Sequence, residues 1–473
     1  MQPLPSQLAM LRLAAQHPGG RALVIDAAWR RTGRCDTALL ARAAELALAE
    51  VEVAALGAVI GADGAARLVA AERAPVDLLD CTEEEYGAWR ERGTLALDGT
   101  ALLRASVVRI GDDHVVRLLA HHAVLDGYAV TRVFRRVVER FEAAVAGTPL
   151  GFARQGDLAA LAAASAPALP PDPAFWSAAT SGLGAPGHPV AFVDRTLEPA
   201  DRPRQNRVRV AVPGVVGRRT WPIEAVATIA AYTARVLGTP DAHVGIPAAL
   251  RRTPLERATP VQWMAVLPAR LDITAGATPA ALADELVRWL GAAAARVRAG
   301  ERPEQLATAV RAAWRTGRLF GPLVNVLPDV RMAGWSLDVA AWGPVSDCLL
   351  SVHPVADGEL VVDGVFHPGL YSAVEAADHV DRVAALLGAA LADPEAPLPE
   401  VRGRPVDAGR VAVPGGWIVP DRLVGALLAA GFTADEVGLD LDAPVTVVLH
   451  GVGAERLDAA RAVVPPGVRI RRA

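Results

Sequence analysis

Strand-length apolar runs and amphipathic helical stretches follow one another irregularly through most of this chain. Residues 21–29 read as a strand, and residues 36–50 as a helix capped by Asp36 and Thr37. Residues 53–60 and 66–69 form a hairpin pattern across the turn Ala62-Asp63-Gly64. A helix opening on Thr-Glu-Glu-Glu covers residues 82–92, its acidic first turn matching the positive end of the helix dipole. A second hairpin, residues 102–110 and 114–121, turns at Gly111-Asp112-Asp113. Its second strand runs into a helix from Asp126 whose inward side carries Val130, Val133, Phe134, Val137, Val138 and Phe141.

The second half repeats the mixture. Strands are predicted at residues 207–212, 243–248, 336–341, 348–353 and 359–366. Helices are predicted at 222–237, 279–298, 303–315 and 371–391. The Pro/Ala/Ser-rich stretch 163–175 reads as a linker. Residues 406–473 alternate short strands and helices and read as a separate small α/β unit. The absence of a regular βαβα repeat points to α+β organisation.

Composition narrows the function classes. The 473 residues are enough for two or three domains with substantial cores. All 48 basic residues are arginine, and the net charge of −4 gives no basic footprint for nucleic acid. Cys35, Cys81 and Cys348 lie far apart with no CxxC or Cys/His ligand spacing, which argues against a disulfide framework or a zinc site; no metal is expected. No run of about 18 uninterrupted apolar residues suggests a membrane span. The N-terminus lacks a positive region followed by an apolar one, so a cytoplasmic protein is the expectation. No Gly-rich phosphate loop and no Gly-x-Ser-x-Gly elbow is present.

The chemistry concentrates at residues 120–130, Ala-His-His-Ala-Val-Leu-Asp-Gly-Tyr-Ala-Val. Adjacent side chains on a strand face opposite ways, so His121 and His122 cannot both look into one cleft. An imidazole titrates near neutrality and suits proton transfer or hydrogen bonding to a nucleophile. Asp126 falls at the strand-to-helix corner, a natural N-cap, and Gly127 lets the backbone pass close to another group.

His-His-x-x-x-Asp-Gly resembles the core motif of the condensation domains of nonribosomal peptide synthetases, within the superfamily of chloramphenicol acetyltransferase. Residues 6–16 resemble the opening motif of that family in shifted form. Residues 49–56 occupy the place of its Arg-His-Glu motif without the Arg and His. Residues 261–271, Val-Gln-Trp-Met-Ala-Val-Leu-Pro-Ala-Arg-Leu, resemble its Gly-x-Phe-Val-Asn-Thr-x-x-x-Arg motif, with Ala265 and Val266 replacing Asn and Thr and the arginine kept as Arg270. Residues 359–398 look like the end of such a domain, so the resemblance spans about residues 5–400. The remainder faintly resembles the C-terminal subdomain of adenylate-forming ligases without its catalytic lysine, and its role is open.

The resemblance implies an α/β (α+β) fold of two chloramphenicol-acetyltransferase-like lobes in a V-shaped pseudo-dimer, residues 1–165 and 176–400, followed by the small appendage 406–473. It implies a free-standing acyltransferase that moves an acyl or aminoacyl group from the phosphopantetheine thioester of an acyl or peptidyl carrier protein, supplied in trans, to a small-molecule amine or alcohol, with no bound cofactor. His122 would contact the nucleophile and Gly127 would lie near the oxyanion. Asp126 would hold the corner through an ion pair with Arg270, and His121 would be structural support. Tyr128, Trp263 and Trp335 are candidate tunnel residues by position. A CoA-dependent acyltransferase of the same fold, a non-catalytic recruitment module and an epimerase-like variant are the other readings.

Overall fold

A computed structural model describes residues 3–16, 21–165, 172, 175–176, 200, 202–237, 241–274, 276–301, 320–328, 330–356, 358–371, 373–401, 411–413, 416–418, 420–442, 444–464 and 468–473. The expected helix at residues 303–315 and most of the expected linker at 163–175 lie outside the described residues.

The N-terminal lobe is built on a five-stranded sheet. In spatial order its strands are Ser336–Trp342, Val24–Arg31, Asp113–His121, Leu103–Ile110 and Asp77–Asp80. The Leu103–Ile110/Asp113–His121 hairpin is antiparallel, with Ile110 opposite Asp113, so Asp113 belongs to the strand and not to the expected turn. Helices Thr37–Ala49 and Gly127–Val145 pack together over this sheet, burying Leu40, Ala44, Val133, Phe134 and Val137 in one core with Trp29.

One buried carboxylate ties those helices together. Glu50, the C-cap of Thr37–Ala49, accepts hydrogen bonds from Arg136 and Arg140, one helical turn apart on Gly127–Val145. Burial acts to raise the Glu50 pKa, but the two guanidinium groups and the Ala153 N–H outweigh it and bring the carboxyl down to about 2.

The second lobe holds a six-stranded sheet, Ala265–Asp272, Asp241–Ala248, Leu323–Val326, Cys348–Ala356, Glu359–Phe366 and Arg204–Ala211 in order. Helices Trp221–Leu237, Pro279–Arg298 and Ala373–Ala392 cover one face. Alternation selects that face: Leu350 and Val352 point into the core while Ser351 and His353 point away. Residues past 410 form a third core of their own around Ile418, Leu423, Leu427, Val447 and Leu449.

A division strictly by sequence fails at one strand. Ser336–Trp342 lies within the residues assigned to the second lobe, yet it pairs antiparallel with Val24–Arg31 at the edge of the first sheet. Trp335 goes with it, packing edge-on against Phe134 at 5.2 Å between ring centres. The crossover is reinforced by charge. Buried Asp26 takes Arg117 at 2.7 Å and Arg90 at 3.1 Å; Arg90 also reaches Asp338 on the crossing strand; and Asp338 takes Arg207 of the second sheet at 2.6 Å.

Several histidines are buried in these cores. Burial first, then the neighbouring ring of His122, lowers His121 to about 4; burial and then Arg270 do the same to His243, and burial and then Arg207 to His353. Burial, then Arg382, lowers His379 to about 3. Below about pH 6.5 the unfolded chain binds these protons and the folded chain does not, so stability falls as pH drops toward 4. Each ring contributes a slope of up to about 1.4 kcal/mol per pH unit. Urea denaturation is therefore expected to show a steadily falling midpoint from pH 6.5 to 4.5; a flat profile across that interval contradicts this account.

Candidate active site

The site forms where the strand Asp113–His121 ends and the helix Gly127–Val145 begins. The His122 N–H donates to the Leu23 carbonyl at 2.8 Å, extending the sheet by one bond. The chain then turns, with the Val124 N–H on the His121 carbonyl at 2.9 Å. The His121 ring stays inside this turn: its Nδ1 accepts from the Ala123 N–H at 3.1 Å, which places the ring proton on Nε2. His121 is thus committed to holding the corner. The His122 side chain is buried and its Nδ1 meets no protein partner. Burial lowers its pKa, with Asp126 acting in the opposite sense, so the ring is neutral at pH 7 and able to accept a proton.

Asp126 is the N-cap, its Oδ1 accepting from the Ala129 N–H at 2.9 Å. Its cationic partner is Arg251, which makes a bidentate pair at 2.9 Å (Nη1 to Oδ2) and 3.2 Å (Nη2 to Oδ1). Both side chains are 2% exposed. Oδ2 also accepts from the Trp263 N–H at 2.9 Å, and Arg251 donates onward to the Val261 carbonyl at 2.6 Å. The Gln262 N–H to Val124 carbonyl bond, 2.8 Å, closes the same junction. Asp126 therefore fastens the motif corner to the second lobe.

The expected Asp126–Arg270 pair is not formed. Arg270 bonds Asp241 at 2.9 Å and lies 3.4 Å from Asp272. The reason is distance along the strand. Trp263 marks where the second lobe touches Asp126, and Arg270 lies seven residues further along an extended segment, roughly 23 Å at about 3.3 Å per residue. Arg251 follows the neighbouring strand Asp241–Ala248, whose Ala248 pairs with Ala265, so it emerges at the correct end. One arginine among 48, with no distinctive spacing, gave no sequence signal for this role.

The three aromatic tunnel candidates are not a common lining. Tyr128 lies under the Arg251 guanidinium at 4.5 Å and donates to the Arg257 carbonyl at 3.2 Å, supporting the junction. Trp263 supplies its backbone N–H to Asp126 while its half-buried indole packs on the first core. Trp335 is a core residue of the first lobe. Gly127, first residue of the helix, has room for a side chain: a β-carbon there would meet Leu327 Cδ2 at 3.9 Å, an ordinary contact. Gly343, which no motif marked, abuts the His122 ring.

Among the described residues no group of three or more His, Cys, Asp or Glu is placed to hold a metal ion, and no helix is long and apolar enough to cross a membrane.

No protein-family model matches the chain. It is 29% identical over 309 residues to an isonitrile lipopeptide synthase of Streptomyces coeruleorubidus, and 25% identical over 294 residues to a dimodular nonribosomal peptide synthase of Bacillus subtilis (strain 168). These matches cover 60% and 58% of this chain but only 20% and 12% of the two synthases. Among solved structures it resembles the first condensation domain of the calcium-dependent antibiotic synthetase in complex with a substrate analogue, at TM-score 0.72 and 23% identity over 84% of this chain and 97% of that one. It also resembles a variant of the starter condensation domain of rhizomide synthetase in complex with C8-CoA and Leu-SNAC, at TM-score 0.69 and 19% identity over 84% and 95%. The chain has the fold of the condensation domains of nonribosomal peptide synthetases.

Proposed function

We propose that the chain is a condensation-type acyltransferase that forms an amide bond between a thioester-bound acyl or aminoacyl group and an amine acceptor. The amine nitrogen attacks the thioester carbonyl; the C–N bond forms, the C–S bond breaks, and the proton lost by nitrogen balances the one gained by the leaving thiolate. A thioester needs no metal for this exchange. The requirement is to hold donor and acceptor in line, worth several orders of magnitude in rate, and to manage one proton and the developing oxyanion.

The observation that carries this reading is the neutral, buried His122 at a corner fixed by Asp126 and Arg251. Its ring orients a neutral amine. With an alcohol acceptor it would serve as general base and the product would be an ester. The backbone N–H of Gly127, the first residue of its helix, is the candidate for contact near the developing oxyanion. The donor in this reading is the phosphopantetheine thioester of a carrier protein outside these 473 residues. A CoA thioester is the second donor reading, favoured by the C8-CoA bound to the rhizomide synthetase starter domain.

Offering the same acyl groups on a phosphopantetheinylated carrier protein and on CoA, with mixed amines and alcohols, separates these readings by mass spectrometry. Carrier-dependent amide is the expected product. Product from CoA alone would replace the carrier by CoA as donor. Carrier binding without product from any donor would favour a recruitment module.

A further inference from the structure

The register of the first sheet brings a residue of the crossing strand to the catalytic corner. Val24 is opposite His121 on one side of its strand, and Ile25 is opposite Trp342 on the other. His122 and Gly343 therefore both leave the same end of the sheet, with the start of one strand between them. The His122 side chain reaches across that gap. An ideal β-carbon at Gly343 would lie 2.5 Å from His122 Cδ2 and 3.1 Å from Nε2, closer than real side-chain carbons approach. Gly343 also has φ +101°, a conformation that other residues rarely adopt.

Gly343 is anchored from both lobes. The strand Ser336–Trp342 holds it to the first sheet. The Trp342 indole N–H donates to Asp363 Oδ2 at 3.3 Å, and Asp363 belongs to the second sheet, where Gln205 and Arg207 also bond it at 2.8 Å and 2.9 Å. The imidazole thus has a backbone surface along its Cδ2 edge whose position both lobes set. The ring's buried Nδ1 has no hydrogen-bond partner, so packing along the Cδ2 edge contributes to setting its rotation.

We propose that Gly343 is the positioning residue for His122: its bare backbone sets the rotation of the imidazole, and the Trp342–Asp363 bond holds that backbone in place. This rests on the acyltransferase reading for its kinetic consequence, but the contact itself is independent of it. Gly343→Ala pushes the ring out of register. A misplacement of about 1 Å at reacting groups costs about 100-fold, so kcat is expected to fall by about that factor while the acceptor KM changes little.

Two further variants separate this from general damage. Gly334→Ala imposes a comparable backbone strain at φ +75° on the same crossing segment, where a β-carbon would meet only Arg31 Nη1 at 3.8 Å; it is expected to lower the melting temperature like Gly343→Ala and leave kcat within threefold. Trp342→Phe introduces no glycine strain, keeps an aromatic ring in the same packing and removes the tether; about a tenfold loss in kcat is expected, since hydrogen-bond loss loosens the backstop without filling its space. In parallel, modification of His122 by diethyl pyrocarbonate, mapped by mass spectrometry, should change at least fivefold in Gly343→Ala and less than twofold in Gly334→Ala. Equal kcat and equal labelling in the two glycine variants would overturn the proposal. If the wild-type chain shows no transfer, the acyltransferase reading fails instead, and the labelling rates alone decide the role of Gly343.

Discussion

His122→Ala is expected to abolish most transfer while leaving the fold intact. Removing a positioned general base typically costs 10²–10⁴ in rate, and the size of the loss reports which acceptor is used. An alcohol needs its proton removed as it attacks, so the upper end of that range is expected for ester formation. A neutral amine needs chiefly orientation, so a loss nearer 100-fold is expected for amide formation. Stability should change little, because the buried Nδ1 has no protein partner to lose. The pH profile carries the same logic. Burial holds the pKa of His122 below its ordinary value, so with an alcohol acceptor, which does not titrate here, wild-type transfer should persist below pH 6.5 and fall as the ring takes up a proton at lower pH; an amine acceptor adds its own protonation to the acid limb. A variant retaining more than a tenth of wild-type kcat, with the same acid limb, would remove His122 from the chemistry.

Arg251→Ala is expected to destabilise the protein by about 3–5 kcal/mol, the usual cost of leaving one member of a buried pair without its partner. The carboxylate of Asp126 would keep its two backbone N–H donors but lose the guanidinium bonded to it at this junction. Asp126→Ala should cost a similar amount by a different route: the N-cap is lost, worth about 1 kcal/mol by itself, the Trp263 N–H loses its acceptor, and Arg251 becomes the unpaired charge. A double variant, Asp126→Asn with Arg251→Leu, should recover part of the loss, since removing both charges removes the desolvation cost. Arg270→Ala is the contrast. That arginine is one-third exposed and pairs within its own lobe, so about 1 kcal/mol or less is expected. Urea denaturation of the four variants checks the ranking; Arg270→Ala exceeding Arg251→Ala would refute the assignment of the interlobe partner. Transfer activity should follow Arg251, because the same pair aims the corner that presents His122.

Much of this was legible along the chain, and for local reasons. Two apolar runs separated by a Gly-Asp-Asp turn gave the hairpin ending at His121. A polar cap before an apolar 3.6-residue pattern gave the helix from Gly127. Side-chain alternation separated the two histidines, and the structure puts the first ring inside the turn and the second against Gly343. These features depend on residues within a few positions of one another, which is the range over which backbone geometry transmits a pattern.

What the sequence by itself determined is therefore most of the larger elements among the described residues, the class of fold its motif resembles, and the corner bearing His121, His122, Asp126 and Gly127, but not the edge strand Asp77–Asp80. Only the tertiary structure decided who meets that corner. Arg251 rather than Arg270 reaches Asp126 because of where two paired strands end, and Gly343 reaches His122 because Ser336–Trp342 crosses to the first sheet in one particular register. Trp335 moves from a candidate tunnel residue to the core for the same reason. Contacts between residues hundreds of positions apart are set by strand order and register, and neither leaves a mark in the local pattern of apolar and polar residues.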